Sequence, residues 1–219
     1  MTITASRAAL AVLLALGAGG AHAQSRAGTD EWSFNLFVIG PKDYAFEGGA
    51  KVRNDGGAGV SLTVTHNLND YFAVGLEGSL STFNYRATVV SSTAGSFETD
   101  GRMETGALRA HVTWNLLARP LTPFLTANAG VMFLDTDLAG DPPANACWNY
   151  PWYGEVCSDK TPTNALTRLT YGVGAGLRYE LPRKQGYVRA LLGAEWIDFR
   201  EALSPVGYVT LRADFGLSF

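Results

Sequence analysis

Three histidines are the side chains best suited to acid–base catalysis in this sequence: His22, His66 and His111. Hydrolysis by a serine nucleophile requires a histidine within hydrogen-bond distance of the serine. His22 lies in an amino-terminal apolar segment, His66 lies beside a predicted short turn, and His111 lies on the polar face of a predicted strand. The sequence contains neither H-E-x-x-H nor G-x-S-x-G. We therefore predict no catalytic residue, no bound cofactor and no metal site.

Two cysteines, Cys147 and Cys157, lie in one segment that we predict to be a loop. Their spacing is far from C-x-x-C, and an exported protein meets an oxidising environment. We predict a disulfide between them, worth roughly 2 to 3 kcal/mol by chain entropy. The ring that it closes contains four aromatic residues: Trp148, Tyr150, Trp152 and Tyr153. These side chains either form an exposed binding surface or pack down against the protein and the lipid interface.

Composition narrows the class of protein. The 219 residues are 47% hydrophobic and 17% charged, with a mean hydropathy of +0.03 and a formal net charge of -3. The charged fraction lies below the roughly 25% that is usual in soluble domains. The mean hydropathy is too low for a bundle of membrane helices. Because the chain has no basic excess, we predict no nucleic-acid partner.

Residues 1–23 have the pattern of a secretory signal. Arg7 supplies the positive charge, an apolar run covers 8–21, and Ala21-His22-Ala23 is a small-x-small cleavage site. The run is shorter than the about 20 residues that a membrane helix needs. We predict that residues 24–219 form the exported domain.

Hydrophobic residues beyond residue 30 recur with a period of two, which is the period of a β-strand. In the last segment, for example, Val209, Leu211 and Ala213 alternate with Thr210 and Arg212. The same pattern predicts eight strands, near 31–39, 57–66, 71–85, 104–116, 123–134, 166–179, 186–199 and 207–219. Closed membrane barrels of one chain have an even number of strands. The predicted fold is therefore an all-β, eight-stranded antiparallel transmembrane barrel of the outer-membrane type.

The polar faces of these strands are predicted to line the interior, whereas a soluble barrel would turn its apolar faces inward. The apolar faces carry no charge through their middles, and every lysine lies in a predicted loop. The short connections at 67–70 and 180–185 are typical of periplasmic turns. We expect a bacterial outer-membrane protein with both termini in the periplasm. Aromatic residues crowd the predicted strand ends, as in interfacial girdles: Trp32, Phe72, Phe83, Trp114, Phe124, Phe133, Tyr179, Trp196 and Phe219.

Together these features resemble the small eight-stranded outer-membrane barrels, the group that contains the barrel domain of outer membrane protein A and the opacity-type proteins. The matching features are the signal that ends at Ala23, the eight alternating strands and a last strand that ends on Phe219. In that family, a terminal aromatic preceded by alternate apolar residues resembles the signal read by the barrel-assembly machinery. The resemblance thus implies that machinery as a partner and Phe219 as the assembly signal. We also expect contacts with outer-membrane lipid and lipopolysaccharide, and a monomer.

Charged residues on the polar faces are predicted to meet inside the barrel, because eight strands enclose a lumen about wide enough for side chains. We expect Glu77 to pair with Arg109, and Glu195 to pair with Arg212 or Arg189, since an unpaired buried ion is costly. The predicted lumen charge network comprises Glu77, Arg109, His111, Arg189, Glu195, Arg212 and Asp214. Gly172, Gly174 and Gly176 either leave room for a narrow passage or relieve crowding in the wall.

Three functions are compatible with an eight-stranded outer-membrane barrel of this sequence. The first is a structural or surface-interaction, adhesin-like role, in which extracellular loops on a rigid barrel contact a ligand or a host surface. The alternative is a narrow or gated pore for small solutes. The third, a lipid-modifying enzyme, is disfavoured because no histidine lies in a predicted outer loop.

Overall fold

Strand pairing closes the chain into a ring. The structure is a computed structural model that describes residues 25–91, 95–136, 147–152, 154–157, 165–182, 186–199, 202 and 206–219. Because β1 pairs with both β3 and β11, eight long antiparallel strands within these residues form a closed barrel, and the predicted fold is confirmed. The barrel strands are β1 (Asp30–Ile39), β3 (Lys51–Asn67), β4 (Phe72–Ser91), β5 (Gly95–Asn115), β6 (Leu121–Thr136), β9 (Ala165–Glu180), β10 (Gly186–Ile197) and β11 (Val206–Ser218).

Shorter elements collect at one end of the barrel, which we call the head. Strand β2 (Lys42–Ala45) pairs with the start of β3, and a 3₁₀ helix covers Glu47–Gly49. Strands β7 (Cys147–Tyr150) and β8 (Gly154–Cys157) form a hairpin that pairs with β4. The opposite end, with both described chain ends and the short connections after β3, β5 and β9, is the terminal end. The predicted signal, residues 1–23, lies outside the described residues.

No helix among the described residues has the length and apolarity that crossing a membrane requires.

Outward-facing side chains in the middle of the barrel form an apolar band. Leu62, Leu80 and Leu211 are 62%, 66% and 58% exposed, whereas the inward-facing Glu77 and Arg109 are buried. A soluble barrel has the opposite distribution, because water favours polar groups outside. The band therefore confirms the prediction that apolar faces point to lipid and polar faces point to the lumen.

Aromatic pairs flank the band on its outer surface. Phe72 stacks on Trp114 with ring centroids 6.1 Å apart near the terminal end. Tyr171 stacks on Trp196 at 5.7 Å near the head. The girdle prediction is wrong for Phe124, which is buried in the lumen because it alternates with the outward-facing Leu125. It is wrong for Phe83 for the same reason, since Phe83 alternates with outward-facing residues of β4 and packs against the buried apolar core.

The strands near the head are longer than the sequence pattern predicts. Segments 40–56 and 86–103, which lie between the predicted strands and were therefore expected to be loops, are largely strand, because β3 begins at Lys51 and the β4–β5 hairpin extends to Ser91 and Gly95. Apolar and polar residues still alternate in these segments, but here the apolar residues face inward and the charged residues face outward. Val89 on β4 is fully buried, and Arg86 on the same strand points outward. Charged residues in these segments thus mark the outer face of a sheet that has left the lipid.

A bulge marks the point at which β3 leaves the band. The register between β3 and β4 shifts between Asn54 and Gly57. Gly56 adopts φ 95°, and a Cβ there would lie 3.0 Å from the carbonyl oxygen of Ile39. Only glycine takes this conformation readily, and such a bulge bends a strand.

Candidate functional site: the lumen and the head

An alternating chain of ion pairs crosses the middle of the lumen. Glu77 and Arg109 lie directly opposite each other on β4 and β5, with Nη1 and Oε1 3.3 Å apart. Glu77 also accepts a hydrogen bond from Arg212, whose Nε donates to Asp214 at 2.6 Å. Asp214 in turn accepts from Arg189 Nε at 3.0 Å. We call Glu77, Arg109, Arg189, Glu195, Arg212 and Asp214 the central network. It contains three carboxylates and three guanidinium groups, so its formal charges cancel.

Glu195 pairs with a different arginine from those expected. Its Oε2 lies 3.0 Å from Arg109 Nη2 and accepts a hydrogen bond from the Tyr208 hydroxyl at 2.9 Å. Arg189 lies six residues earlier on the same strand, about 20 Å away at 3.3 Å per residue. Arg189 is instead opposite Asp214 in the register of β10 and β11. The register of the strands therefore decides which charged residues meet. The sequence shows which residues share a face of a strand, but it does not show this register.

A second ion pair lies nearer the terminal end and was missed by the sequence analysis. Arg178 donates from Nη1 and Nη2 to the two carboxylate oxygens of Glu31, at 2.9 and 2.6 Å. Both side chains are buried, and the Arg178 guanidinium lies 4.0 Å from the ring centroid of Tyr187. The alternation pattern could have indicated this pair. Glu31 precedes the lipid-facing Trp32 and so faces the lumen, and Arg178 lies on the polar face of its strand.

Arg26 closes the terminal end. Its side chain is buried, pairs with Glu180, and donates from Nη1 and Nη2 to the carbonyl oxygens of Asp70 and Arg119, both at 2.8 Å. Its backbone N–H donates to Asp70 Oδ1 at 2.7 Å, and the Ser25 hydroxyl donates to the same oxygen. These two hydrogen bonds hold the pKa of the Asp70 carboxyl below its ordinary value. Arg26 precedes the first strand, so alternation could not indicate its role.

Little space remains beside the central network. A cavity of about 40 Å³ is lined by Arg109, His111 and Asn128 among others. That volume exceeds the 10 to 15 Å³ that one water requires, so the cavity is large enough for a few waters. His111 Nε2 lies 3.2 Å from the Thr65 hydroxyl. His111 is therefore held in the lumen wall beside the network.

The three glycines of β9 do not open a passage. A Cβ on Gly172 would lie 2.9 Å from Glu195 Cγ, and one on Gly174 would lie 2.7 Å from Leu191 Cδ1. A Cβ on Gly176 would approach the Phe124 ring to 2.8 Å. Neighbouring side chains occupy the room that the glycines provide, so these residues relieve crowding.

An aromatic plug fills the head above the network. Of the two alternatives for the loop aromatics, the structure favours packing down against the protein for Trp148, Tyr150 and Trp152, which are 2%, 1% and 3% exposed. The β7–β8 hairpin folds inward because the inner faces of the head strands are apolar and offer these rings a core. Tyr153 lies outside the described residues. The plug and its surroundings include Ile39, Phe46, Val52, Tyr85, Val89, Met103, Met132, Leu134, Trp148, Tyr150, Trp152, Ile197, Phe199, Val206 and Tyr208.

Trp152 is the centre of this plug. Its ring makes edge contacts with Phe46 at 6.0 Å and Tyr85 at 5.0 Å between centroids, and its carbonyl accepts from Arg168 Nη2 at 3.3 Å. Its backbone has φ 65°, which is unusual for a residue with a bulky side chain. Such a conformation costs of order 1–3 kcal/mol and persists where packing fixes it.

The predicted disulfide joins positions that the hairpin brings together. Cys147 and Cys157 are opposite partners in the β7–β8 register. Opposite residues of an antiparallel pair have Cα atoms about 4.5 or 5.5 Å apart, which is within the range of disulfides. The bridge stays a prediction that this register favours.

The outer face of the head presents a row of charges across four strands. Asp43, Arg53, Arg86 and Asp100 are successive cross-strand partners on β2, β3, β4 and β5, and all are exposed. Arg86 Nε lies 2.8 Å from Asp100 Oδ1, and Arg53 Nε lies 3.3 Å from Asp55 Oδ1. We call these four residues the charged row. Strand pairing, not a loop, fixes their spacing.

The remaining candidate residues lie near the terminal end. Phe219 is 66% exposed, and its backbone N–H donates to the backbone carbonyl oxygen of Asp30 at 2.9 Å, where β1 pairs with β11. His66 Nδ1 lies 2.7 Å from Asp30 Oδ1 on the outer surface. Within the described residues, neither His66 nor His111 hydrogen-bonds to a serine, and no group of three His, Cys, Asp or Glu side chains is placed to hold a metal ion.

Comparison with known proteins gives structural likeness alone. No protein-family model and no curated protein matches the sequence. Among solved structures, Neisserial surface protein A is 12% identical and aligns over 90% of this chain and 99% of its own, with a TM-score of 0.48. OprG from Pseudomonas aeruginosa is 13% identical over 88% and 96%, with a TM-score of 0.48. Ail from Yersinia pestis is 14% identical over 88% and 99%, with a TM-score of 0.45.

The architecture itself identifies the class of protein. A closed ring of eight antiparallel strands carries an apolar band outside and ion pairs inside. Only a lipid-embedded barrel needs that distribution, because lipid cannot solvate charged groups. The chain is thus a small eight-stranded β-barrel of the bacterial outer-membrane type.

Proposed function

We propose that this protein is a non-conducting outer-membrane barrel that acts through its head, as a structural or adhesin-like surface protein. In this proposal the head faces the cell exterior and both termini face the periplasm. The short connections at the terminal end support that orientation, because short turns face the periplasm in outer-membrane barrels.

The charged row is the observation that carries the proposal. Strands β2 to β5 hold its four side chains on one face of a sheet that is packed on an apolar core. A pre-organised surface loses less conformational entropy on binding than mobile loops do. The head therefore suits recognition of a partner that carries charges of both signs.

The filled lumen favours this function over the pore. The central network and the plug lie in series along the barrel axis, and the described residues enclose cavities of about 40 Å³ beside the network and about 30 Å³ beside the plug. Each is far smaller than a drug-sized ligand pocket. A conducting state would require both layers to rearrange.

Attachment of bacteria to cultured epithelial cells tests the proposal. Cells that express the wild-type protein should attach more than cells with an empty vector. The triple variant R53S/R86S/D100S should lose most of that gain, since it removes three charges of the charged row while the plug stays intact. R119S, which removes an exposed charge at the terminal end, is the matched control. Attachment of the triple variant at the wild-type level, or no gain from the wild-type protein, would exclude the adhesin-like role.

A further inference from the structure

A groove runs across the outer wall where the apolar band meets the charged head. Its volume is about 580 Å³. Strand register arranges its outward-facing residues in two rows. The row on the band side is Val60, Leu80, Gly106, Phe133 and Thr167, and the row on the head side is Ala58, Thr82, Glu104 and Asp135.

Small residues create the groove. Leu80 and Phe133 project from the wall, with 66% and 52% of their surface exposed, and Gly106 lies between them in the register. A Cβ on Gly106 would have Leu80 Cδ2 as its nearest neighbour, at 3.6 Å, which is ordinary van der Waals contact. The space above Gly106 is therefore open and apolar on both sides.

Carboxylates border the groove on its head side. Glu104 and Asp135 lie directly opposite each other on β5 and β6, and both are exposed. Like charges in directly opposed positions destabilise a sheet. Arg102 Nη2 lies 3.5 Å from Glu104 Oε1 and is the guanidinium nearest to this pair among the ion pairs of the described residues. Among the residues that the structure describes, one cation thus accompanies two carboxylates, which leaves a net negative charge on this part of the edge.

We infer that this groove binds a cationic amphiphile, with its alkyl chain along Leu80, Gly106 and Phe133 and its ammonium group beside Glu104 and Asp135. The volume lies within the roughly 300–1,000 Å³ that is typical of small-molecule sites. The apolar row lies at the edge of the lipid and the carboxylates lie just beyond it, which matches the two halves of an amphiphile. An ammonium group neutralises the opposed carboxylates, whereas an anionic headgroup is repelled by them.

Photolabelling with two charge-matched probes tests this site. The protein in phosphatidylcholine nanodiscs is exposed to a dodecyltrimethylammonium probe or a dodecyl sulfate probe, each with a diazirine at the chain end. Labelled peptides are then mapped by mass spectrometry. We expect the ammonium probe to label the groove segments of β4–β6 roughly fivefold more than the sulfate probe does, the factor that one exposed ion pair can supply.

Two sets of variants separate the apolar and charged parts of the site. G106L fills the groove and should abolish labelling of its segments. G78L is the control, because Gly78 also faces outward on β4 but lies outside the groove, with nothing within 4 Å of an added Cβ. E104Q/D135N should keep labelling but lose the preference for the ammonium probe. Equal labelling by both probes in the wild-type protein, or unchanged labelling in G106L, would overturn the inference.

Discussion

The long barrel strands run through both the band and the head, but the interior of the band is charged and polar whereas the interior of the head is apolar. Along β4, inward-facing residues change from Glu77 and Ser79 in the band to Tyr85 and Val89 in the head. Outward-facing residues change in the opposite sense, from Leu80 to Arg86. The pleat continues without interruption, so the change is in the surroundings and not in the backbone. Lipid requires an apolar exterior and leaves charges to pair inside, whereas water permits an apolar core.

The two cores therefore differ in what holds them together. In the band, buried charges satisfy each other in a network where every member has a partner of opposite sign. In the head, aromatic rings are removed from water around Trp152. Removing one member of each core should have different consequences, and substitutions on the outer faces should have little effect.

The largest expected effect comes from breaking the central network. E77L leaves Arg109 and Arg212 without this carboxylate and should lower the free energy of unfolding by roughly 3–5 kcal/mol, as is found when one partner of a buried ion pair is removed. Urea unfolding in lipid vesicles, followed by tryptophan fluorescence, measures the loss. D100N, which breaks an exposed pair in the charged row, is the control and should unfold like the wild type. An equal loss of unfolding free energy in E77L and D100N would show that the ion pairs of the lumen stabilise the protein no more than an exposed pair does.

Disrupting the plug should affect the head alone. W152A removes a buried ring at the centre of the head core and should destabilise the head by roughly 3 kcal/mol. Hydrogen exchange should quicken in the head portions of β3, β4 and β5 and stay unchanged in the band. W114A, which removes an exposed ring from the band surface, should leave exchange in the head unaltered. Faster exchange throughout the W152A barrel would show that the two cores are one cooperative unit.

The predicted disulfide should reinforce the plug by a smaller amount. C147S should destabilise the β7–β8 hairpin by roughly 2–3 kcal/mol, since the bridge would close a short ring. Protease cleavage within 147–157, with intact band strands, measures this change. Mass analysis of the wild type under non-reducing, denaturing conditions should show no reactive thiol. Two alkylated cysteines in that experiment would disprove the bridge.

The smallest effect concerns the terminal end and its pH dependence. The pKa of Asp70 is lowered in the folded protein, so its ionised form stabilises the contact with Arg26 above the ordinary carboxyl pKa, and this stabilisation is lost as the pH falls through the lowered value. The NMR signal of the Arg26 amide, which donates to Asp70, should therefore move in acid, below about pH 4. D70N should remove this titration. A titration that persists in D70N would assign it to another group.

Alternation was sufficient to predict the band and insufficient for the head. Each lipid-facing row, such as Trp32, Phe34, Leu36 and Val38, could be identified because apolar and polar residues alternate over a full strand. In segment 86–103 the inner face is apolar and the outer face is charged. A prediction that requires an apolar, lipid-facing outer face therefore ends the strands before this segment. The reversed alternation of Tyr85, Arg86 and Val89 is the signal that would have extended β4.

Contacts across the lumen were only partly predictable. The members of the central network follow from their polar faces, and the Glu77–Arg109 pair follows from adjacent strands. The pairing of Glu195 with Arg109 depends on register and barrel curvature, which one sequence does not contain. Arg26 lies outside every strand, so its contact with Glu180 required the folded chain.

Single-channel recording in planar bilayers tests most directly whether the lumen is closed. In the proposed non-conducting barrel the central network and the plug both obstruct the axis, so the purified wild-type protein should show no discrete openings above the background of protein-free bilayers. W152A should also stay closed, because the central network remains. Reproducible openings of the wild-type protein, at a constant conductance that rises with salt concentration, would contradict the account of a filled, ion-paired lumen.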